Sequence, residues 1–275
     1  MNKNINHKLK LNNGIEIPQL GLGVYLAKRG RECKKAITWA LESGYRHIDT
    51  ASSYGNEKDV GKAVRSSGIS RTEIFITTKL WNSDHGYENA IKAFDTSLKT
   101  LKTEYIDLYL IHWPVKDKRK ESWKALEKIY ESGYCRSIGV SNYTIDHLKE
   151  LFTYANIIPA VNQVEFSPYL YQKDLLDLCN KNNILLGAYA PLTRMKKFND
   201  PKLQSIGKIY NKTPAQVLIR WAIEHNLIVT PKSTHKDRVL ENANVFDFSL
   251  TESHMKILDN LNEDFRACWD PTTED

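Results

Sequence analysis

Eight times in succession a short apolar run is followed by a longer amphipathic one, and this alternation limits the fold more than any other feature of the chain. The apolar runs read as strands over Leu20–Gly23, Arg46–Asp49, Ile74–Lys79, Ile106–Ile111, Ser137–Val140, Val161–Val164, Leu185–Tyr189 and Ile228–Thr230. Between and after them, apolar residues recur at helical spacing over Arg31–Glu42, Glu57–Arg65, Tyr87–Leu101, Glu121–Glu131, Ile145–Tyr154, Gln172–Asn182, Thr213–Glu224 and Asp237–Asn244. Repeated strand–helix units build a parallel sheet covered by helices. Eight units without a Gly-x-Gly-x-x-Gly turn favour a closed barrel over an open doubly wound sheet. The 275 residues slightly favour two domains by length alone, but no linker, low-complexity segment or short repeat divides them. The expectation is therefore an α/β fold, a (β/α)8 TIM barrel, as one domain over residues 1–275.

Three additions accompany the eight units. His7 to Leu11 and Ile15 to Ile17 alternate apolar and polar residues around Asn12-Asn13-Gly14, a small β-hairpin placed to plug the amino-terminal end of the barrel. Asp200–Tyr210 and Thr251–Leu261 read as two extra helices. Several helix starts carry their own signals. Thr144 caps the fifth helix with Asp146 in its first turn, and Thr213-Pro214 places a cap before a first-turn proline. Thr251 opens an imperfect capping box with His254 in the fourth position. Asn56 reads as a cap, with Glu57 after it. Asn262 to Asp275 has no periodicity, and its acidic end is expected to fray.

Composition excludes several functions. The formal charge is +6, but Lys and Arg are spread along the chain. There is no basic run interleaved with aromatics, so nucleic acid is not an expected partner. A modest positive field suits an anionic cofactor or substrate. Cys33, Cys135, Cys179 and Cys268 are scattered without metal-ligand or disulfide spacing. Free thiols, a polar N-terminus without an apolar core and no apolar run of membrane-spanning length point to a cytoplasmic protein that does not enter a membrane.

The chemistry lies where the strands stop being apolar. The second strand ends at Asp49, the third at Lys79, and the fourth runs into His112. Ser141-Asn142 follow the fifth, Asn162 and Gln163 lie in the sixth, Tyr189 ends the seventh, and Pro231-Lys232-Ser233 follow the eighth. In a barrel these carboxyl ends share one mouth. Singly, an Asp after a strand is a turn residue, a Lys is solvated and a His is structural. Together at successive strand ends they read as a site. Asp49 and Lys79 resolve each other's burial. Tyr54 sits five residues past Asp49, and a phenol titrates near a pKa of about 10. The Lys79 ammonium is expected to lower that value, while His112 orients a substrate oxygen. Phenol, ammonium and imidazole suit protonation of a carbonyl oxygen. No side chain supplies a hydride, so a nicotinamide cofactor is implied. A metal-dependent hydrolase would need more His and carboxylate ligands than Asp49 and His112, so no metal is expected.

These residues sit in stretches that closely resemble the aldo-keto reductase family. The carrying stretches are Gly44-Tyr45-Arg46-His47-Ile48-Asp49-Thr50-Ala51 with Tyr54-Gly55-Asn56-Glu57; Thr78-Lys79-Leu80-Trp81; Asp107-Leu108-Tyr109-Leu110-Ile111-His112-Trp113-Pro114; Gly139-Val140-Ser141-Asn142-Tyr143; Asn162-Gln163-Val164-Glu165; and Pro231-Lys232-Ser233 with Arg238, Glu241-Asn242 and Phe246-Asp247-Phe248. The resemblance covers nearly the whole chain. It implies NADPH-dependent reduction of aldehydes or ketones, with Tyr54 as general acid, Lys79 and Asp49 tuning it and His112 orienting the carbonyl. It also implies that Ser141, Asn142 and Gln163 hold the nicotinamide carboxamide and that Tyr189 stacks on the ring. Lys232, Ser233 and Arg238 would bind the adenosine 2′-phosphate, with Glu241 and Asn242 on the adenine. Arg and Lys suit that dianion on charge alone. Tyr25, Trp81 and Trp113 are the implied substrate-pocket aromatics, and Trp269 is placed to close over the mouth.

The segment after the third strand and the short stretch from Thr193 to Lys202 resemble microbial, broad-specificity members. Those act on small aldehydes, dicarbonyls such as methylglyoxal or diketo-sugar acids, and some protozoan ones on a prostaglandin endoperoxide. Two departures stand out. Ala190 replaces a common serine, which removes one cofactor contact, and Lys28-Arg29 make the first loop more basic than usual. The expected protein is a monomer. The alternative is an NADPH-binding sensor or regulatory barrel without turnover, which would have no need of Tyr54.

Overall fold

The computed structural model describes residues 4–273. At the N-terminus, β1 (Lys8–Lys10) and β2 (Glu16–Pro18) form the expected antiparallel hairpin, with Leu9 opposite Ile17. Its apolar residues Leu9, Leu11 and Ile17 pack with Phe75, Leu108, Leu110, Val161 and Ile228. The hairpin thus covers an apolar barrel interior that would otherwise meet water, as its position predicts.

The barrel strands are β3 (Leu22–Gly23), β4 (His47–Asp49), β5 (Phe75–Leu80), β6 (Leu108–Ile111), β7 (Ile138–Ser141), β8 (Val161–Glu165), β9 (Leu185–Tyr189) and β10 (Ile228–Val229). They pair in chain order, every neighbour parallel. The ring closes through parallel bridges from Leu20 to Val229 and from Gly23 to Lys232. Gly21 N donates to Val229 O at 2.9 Å and Gly23 N to Pro231 O at 3.1 Å along that seam. A Cβ on Gly23 would stand 2.9 Å from Thr230 O, so the seam closes this tightly only on glycine. Strand limits move by one or two residues from expectation, which brings Ser141 and Glu165 into strands.

The helices are α1 (Arg31–Glu42), α2 (Glu57–Ser66), α3 (Tyr87–Leu101), α4 (Arg119–Glu131), α5 (Ile145–Phe152), α6 (Lys173–Lys181), α7 (Pro201–Tyr210), α8 (Pro214–Glu224), α9 (Lys236–Ala243) and α10 (Glu252–Asp259). The extra helices are α7 and α10. Thr144 and Thr213 each complete a reciprocal capping box, with His147 and Gln216. Thr251 accepts from His254 N, but the return bond is missing because His254 Nδ1 lies 2.7 Å from Tyr210 Oη. Asn56 does not cap α2 through its side chain. Its Oδ1 instead accepts from Thr50 Oγ1 at 2.7 Å and its Nδ2 donates to Val24 O at 2.9 Å. A buried amide needs all of these partners, and here they tie the loop after β3 to the loop after β4. No helix among the described residues is long and apolar enough to cross a membrane.

Candidate active site

The carboxyl ends of the strands meet at one cavity of about 680 Å³. Every site residue expected from the sequence lines it except Lys79, which lies directly behind the lining. Lys79, on β5, is 1% exposed and donates to Asp49 Oδ1 at 2.7 Å and to Thr50 O at 2.8 Å. Asp49 ends β4, and its second oxygen accepts from Gln163 Nε2 at 2.7 Å. Both carboxylate oxygens are therefore matched to donors, which is what makes a buried charge tolerable. The resemblance assigns Gln163 to the nicotinamide. In the structure its amide nitrogen is already committed to Asp49.

Tyr54 lies in a 3-10 turn, Ser52–Tyr54, immediately past β4. The Lys79 ammonium is 5.3 Å from its ring centre. The His112 ring meets it edge-on at 5.6 Å, and Tyr25 tilts against it at 4.9 Å. Trp81 packs edge-on to His112 at 5.2 Å. Phenol, ammonium, carboxylate and imidazole thus converge as expected.

Burial outweighs the lowering expected from Lys79. Burial pushes the Tyr54 phenol well above its ordinary range, and the Asp49 carboxylate pushes it further the same way. Lys79 does not reverse this, because its charge is compensated by Asp49 at contact and burial itself pulls the ammonium down. A paired charge projects only a short-range field. The phenol therefore stays protonated. His112 is driven well below the usual imidazole range by burial first, then by Lys79 and His85, so it is neutral and can donate one ring N–H.

Around the corner of the cavity, Ser141 Oγ donates to Gln163 O at 2.7 Å. Asn142 takes a left-handed backbone (φ 63°), which asparagine tolerates better than most residues. Its Nδ2 donates to His112 O at 2.9 Å, and its Oδ1 accepts from Tyr189 Oη at 2.8 Å. These bonds hold the Tyr189 ring in place on the cavity wall. Lys232 and Arg238 are exposed and form no salt bridge among the described residues. Glu241, on α9, accepts from Thr213 Oγ1, and Asn242 is buried beside it.

Tyr25 is 44% exposed on the rim, while Trp113 is buried. Trp269 comes from the aperiodic tail, stands 67% exposed and sets its ring 5.7 Å from that of Trp113. Several lining residues carried no sequence signal. Leu192, Arg194, Met195 and Phe198 reach the cavity from the loop after β9. That loop holds Thr193, Arg194 and Met195 at φ 50°, 49° and 66° without a glycine to mark the turn. Thr213 to Ala215, His235 and Cys268 line it as well.

The comparisons with known proteins agree with this geometry. Residues 19–263 match the model of the aldo/keto reductase family. The chain is 50% identical over 274 residues to the 9,11-endoperoxide prostaglandin H2 reductase of Trypanosoma cruzi, covering 98% of this chain and 96% of that one. It is 47% identical over 259 residues to the glyoxal reductase of Bacillus subtilis, 94% of each chain. The crystal structure of a Bombyx mori aldo-keto reductase in complex with NADP superposes with a TM-score of 0.91 at 34% identity, covering 98% of this chain and 97% of that one. A barrel with this cavity, matched along nearly its whole length, belongs to the aldo/keto reductase family of oxidoreductases.

Proposed function

We propose that this chain, an NADPH-dependent reductase of small carbonyl compounds, uses Tyr54 as the general acid, Lys79 and Asp49 as the pair that supports it, and His112 as the group that orients the carbonyl. The carrying observation is the convergence of these four side chains on a cavity also lined by Lys232 and Arg238. The cavity fits the cofactor. It is long enough to be lined at once by Trp113, Tyr189 and Asn242, and it includes Lys232 and Arg238, neither of which has a carboxylate partner among the described residues. Ser141, Asn142 and the remaining oxygen of Gln163 would hold the carboxamide, and the Tyr189 ring would stack on the nicotinamide. Lys232, Ser233 and Arg238 would hold the 2′-phosphate, and Glu241 and Asn242 the adenine.

When bound, the dihydronicotinamide supplies the hydride that the carbonyl carbon accepts. The Tyr54 phenol, kept protonated, gives its proton to the carbonyl oxygen, and the product is an alcohol. Neutral His112 donates an N–H to the same oxygen and fixes its direction. As the proton leaves, charge develops on Tyr54, and Lys79 is the fixed cation that stabilises it. Asp49 holds Lys79 in place.

The substrates that suit a modest aromatic-walled pocket are small aldehydes and dicarbonyls, and the name of the Bacillus relative supports dicarbonyls. The protein acts as a cytoplasmic monomer. Its four cysteines are free, and burial pushes the Cys33, Cys135 and Cys179 thiols up to about 12, as suits unreactive core thiols in a reducing compartment.

Tyr54→Phe tests the central assignment. Reduction of methylglyoxal should fall by at least about a hundredfold, while NADPH still quenches intrinsic fluorescence with near-normal affinity. Full activity in that variant would overturn the assignment of Tyr54, whereas no reduction of any carbonyl compound by the unaltered chain would favour a sensor without turnover.

A further inference from the structure

Glu165 is the last residue of β8, two positions beyond Gln163, whose side chain reaches Asp49 inside the mouth. Strand side chains alternate, so Glu165 rises on the same side as Gln163, one pleat nearer the opening. It is 3% exposed. A carboxylate that is buried this far must find donors. Neither of its oxygens turns to a residue of the reaction. Oε1 accepts from Ala267 N at 2.6 Å and Oε2 from Cys268 N at 3.1 Å. Both donors belong to the aperiodic tail.

The rest of the tail is held further back along the chain. Asn262 Oδ1 accepts from Tyr171 N at 2.9 Å, Phe265 N donates to Tyr169 O at 2.9 Å, and Glu263 pairs with Lys197. These contacts to the barrel loops stop at Phe265, and beyond it Arg266 Nε pairs with Asp270 Oδ1 at 3.2 Å within the tail itself. Between there and Trp269, the Glu165 carboxylate takes two consecutive backbone N–H groups, and Trp269 is the next residue along. Its ring stands against Trp113 and lines the cavity. A ring that is mostly exposed gains little from packing alone, so its position depends on the backbone that carries it.

We propose that Glu165 is a positioning residue for the reductase: its carboxylate latches Ala267 and Cys268 and thereby sets Trp269 against Trp113 as the wall that determines how well an aromatic carbonyl compound is held. The proposal rests on the reductase reading for its kinetic part, while the latch itself can be measured without turnover. Backbone N–H donors carry no side-chain identity, which explains why an aperiodic tail can be so specifically seated.

The test compares Glu165→Ala, Glu165→Gln, Trp269→Ala and the double variant Glu165→Ala/Trp269→Ala with the unaltered chain. KM and kcat are measured for 4-nitrobenzaldehyde and for methylglyoxal, NADPH affinity by fluorescence quenching, and amide hydrogen exchange across residues 262–273. Losing two charge-assisted bonds should raise KM for 4-nitrobenzaldehyde about tenfold in Glu165→Ala. Glu165→Gln, which keeps one good acceptor, should fall between. KM for methylglyoxal, too small to reach the wall, should change less than about twofold, as should NADPH affinity. Exchange at residues 267 and 268 should accelerate in Glu165→Ala. The double variant should be no worse than Trp269→Ala alone, because both changes remove one wall.

The proposal is overturned if Glu165→Ala leaves KM for 4-nitrobenzaldehyde unchanged, if the two substitutions multiply in the double variant, or if NADPH affinity falls as much as aldehyde binding. Should Glu165→Ala fail to fold, Ala267→Pro removes one donor and leaves Glu165 intact; it must raise the same KM, and an unchanged KM overturns the latch. If no carbonyl compound is reduced by the unaltered chain, the reductase reading fails. Hydrogen exchange at 267 and 268 still decides the latch.

Discussion

Lys79→Met separates the two things the buried pair does. The ammonium is 1% exposed and its partner carboxylate 7%, so solvent screens neither. Removing Lys79 leaves the Asp49 charge with Gln163 Nε2 as its remaining side-chain donor. Breaking a buried pair from one side costs about 3–5 kcal/mol. For a chain of this size that lowers Tm by roughly 10 °C. The kinetic loss follows from distance. Lys79 Nζ is 5.3 Å from the centre of the Tyr54 ring. A unit charge developing there interacts with the ammonium by about 3 kcal/mol at an effective dielectric constant of about 20. Its loss slows proton donation by about a hundredfold. Asp49 already pushes the phenol upward, and without Lys79 it opposes charge on Tyr54 unchecked. Lys79→Met/Asp49→Asn removes that opposition and keeps an acceptor for Gln163. The double variant should therefore be both more stable and faster than Lys79→Met, though slower than the unaltered chain. Thermal unfolding by circular dichroism and NADPH oxidation with methylglyoxal read the two effects. A double variant no faster than the single one, or a Lys79→Met enzyme with nearly normal kcat, would refute the electrostatic account of Tyr54.

Arg238→Ala should cut the preference for NADPH over NADH by about tenfold or more in kcat/KM, since a bidentate partner of the 2′-phosphate is lost while the NADH rate is little changed; equal losses with both cofactors would count against that role. With His112 neutral, kcat for reduction should show no inflection near the ordinary imidazole pKa of about 6.5. An inflection there that vanishes in His112→Gln would contradict it. Acid stability carries the opposite message. Burial lowers His47 and His85 to about 4, so the folded protein keeps both neutral while the unfolded chain protonates them near 6.5. The unfolded state then binds more protons, and stability is lost as pH falls from about 6.5 toward about 4. Urea unfolding at a series of pH values should show that decline, and replacing His47 by Gln should make it shallower; a flat profile would show that neither ring is held neutral.

The barrel was legible in the sequence because strand and helix periods alternate so regularly, and the mouth was legible because charged residues end strands that are otherwise apolar. Asp49, Lys79, His112 and Tyr189 all stand where that logic puts them. What could not be read were partners far apart in sequence. Gln163 bonds Asp49 across 114 positions, and nothing in either segment announces it. Asn56 has the composition of a cap, yet two main-chain carbonyls and a threonine hydroxyl were within reach and bind it instead. The loop from Thr193 to Met195 turns left-handed on ordinary residues, so the usual glycine signal is missing. The tail is held through backbone donors, one ion pair to Lys197 and single aromatic contacts, and none of these leaves a periodic pattern.

The phenol shows where spacing and field part company. A lysine near a tyrosine reads as a device that lowers the tyrosine's pKa, and from residue types alone that inference is natural. It treats the ammonium as a free charge. Here the ammonium is matched by Asp49 at 2.7 Å, and Asp49 is matched again by Gln163, so the cluster is nearly compensated before Tyr54 feels it. Burial then dominates, and the ground state is a firmly protonated phenol. That is the form reduction consumes. The pair acts on the charge that appears as Tyr54 loses its proton, so it offsets part of the cost of burial and stabilises the transition state. A site built this way does not need a lowered resting pKa to deliver a proton. It needs a fixed ammonium whose partner cannot move away, and the two hydrogen bonds to Asp49 provide that.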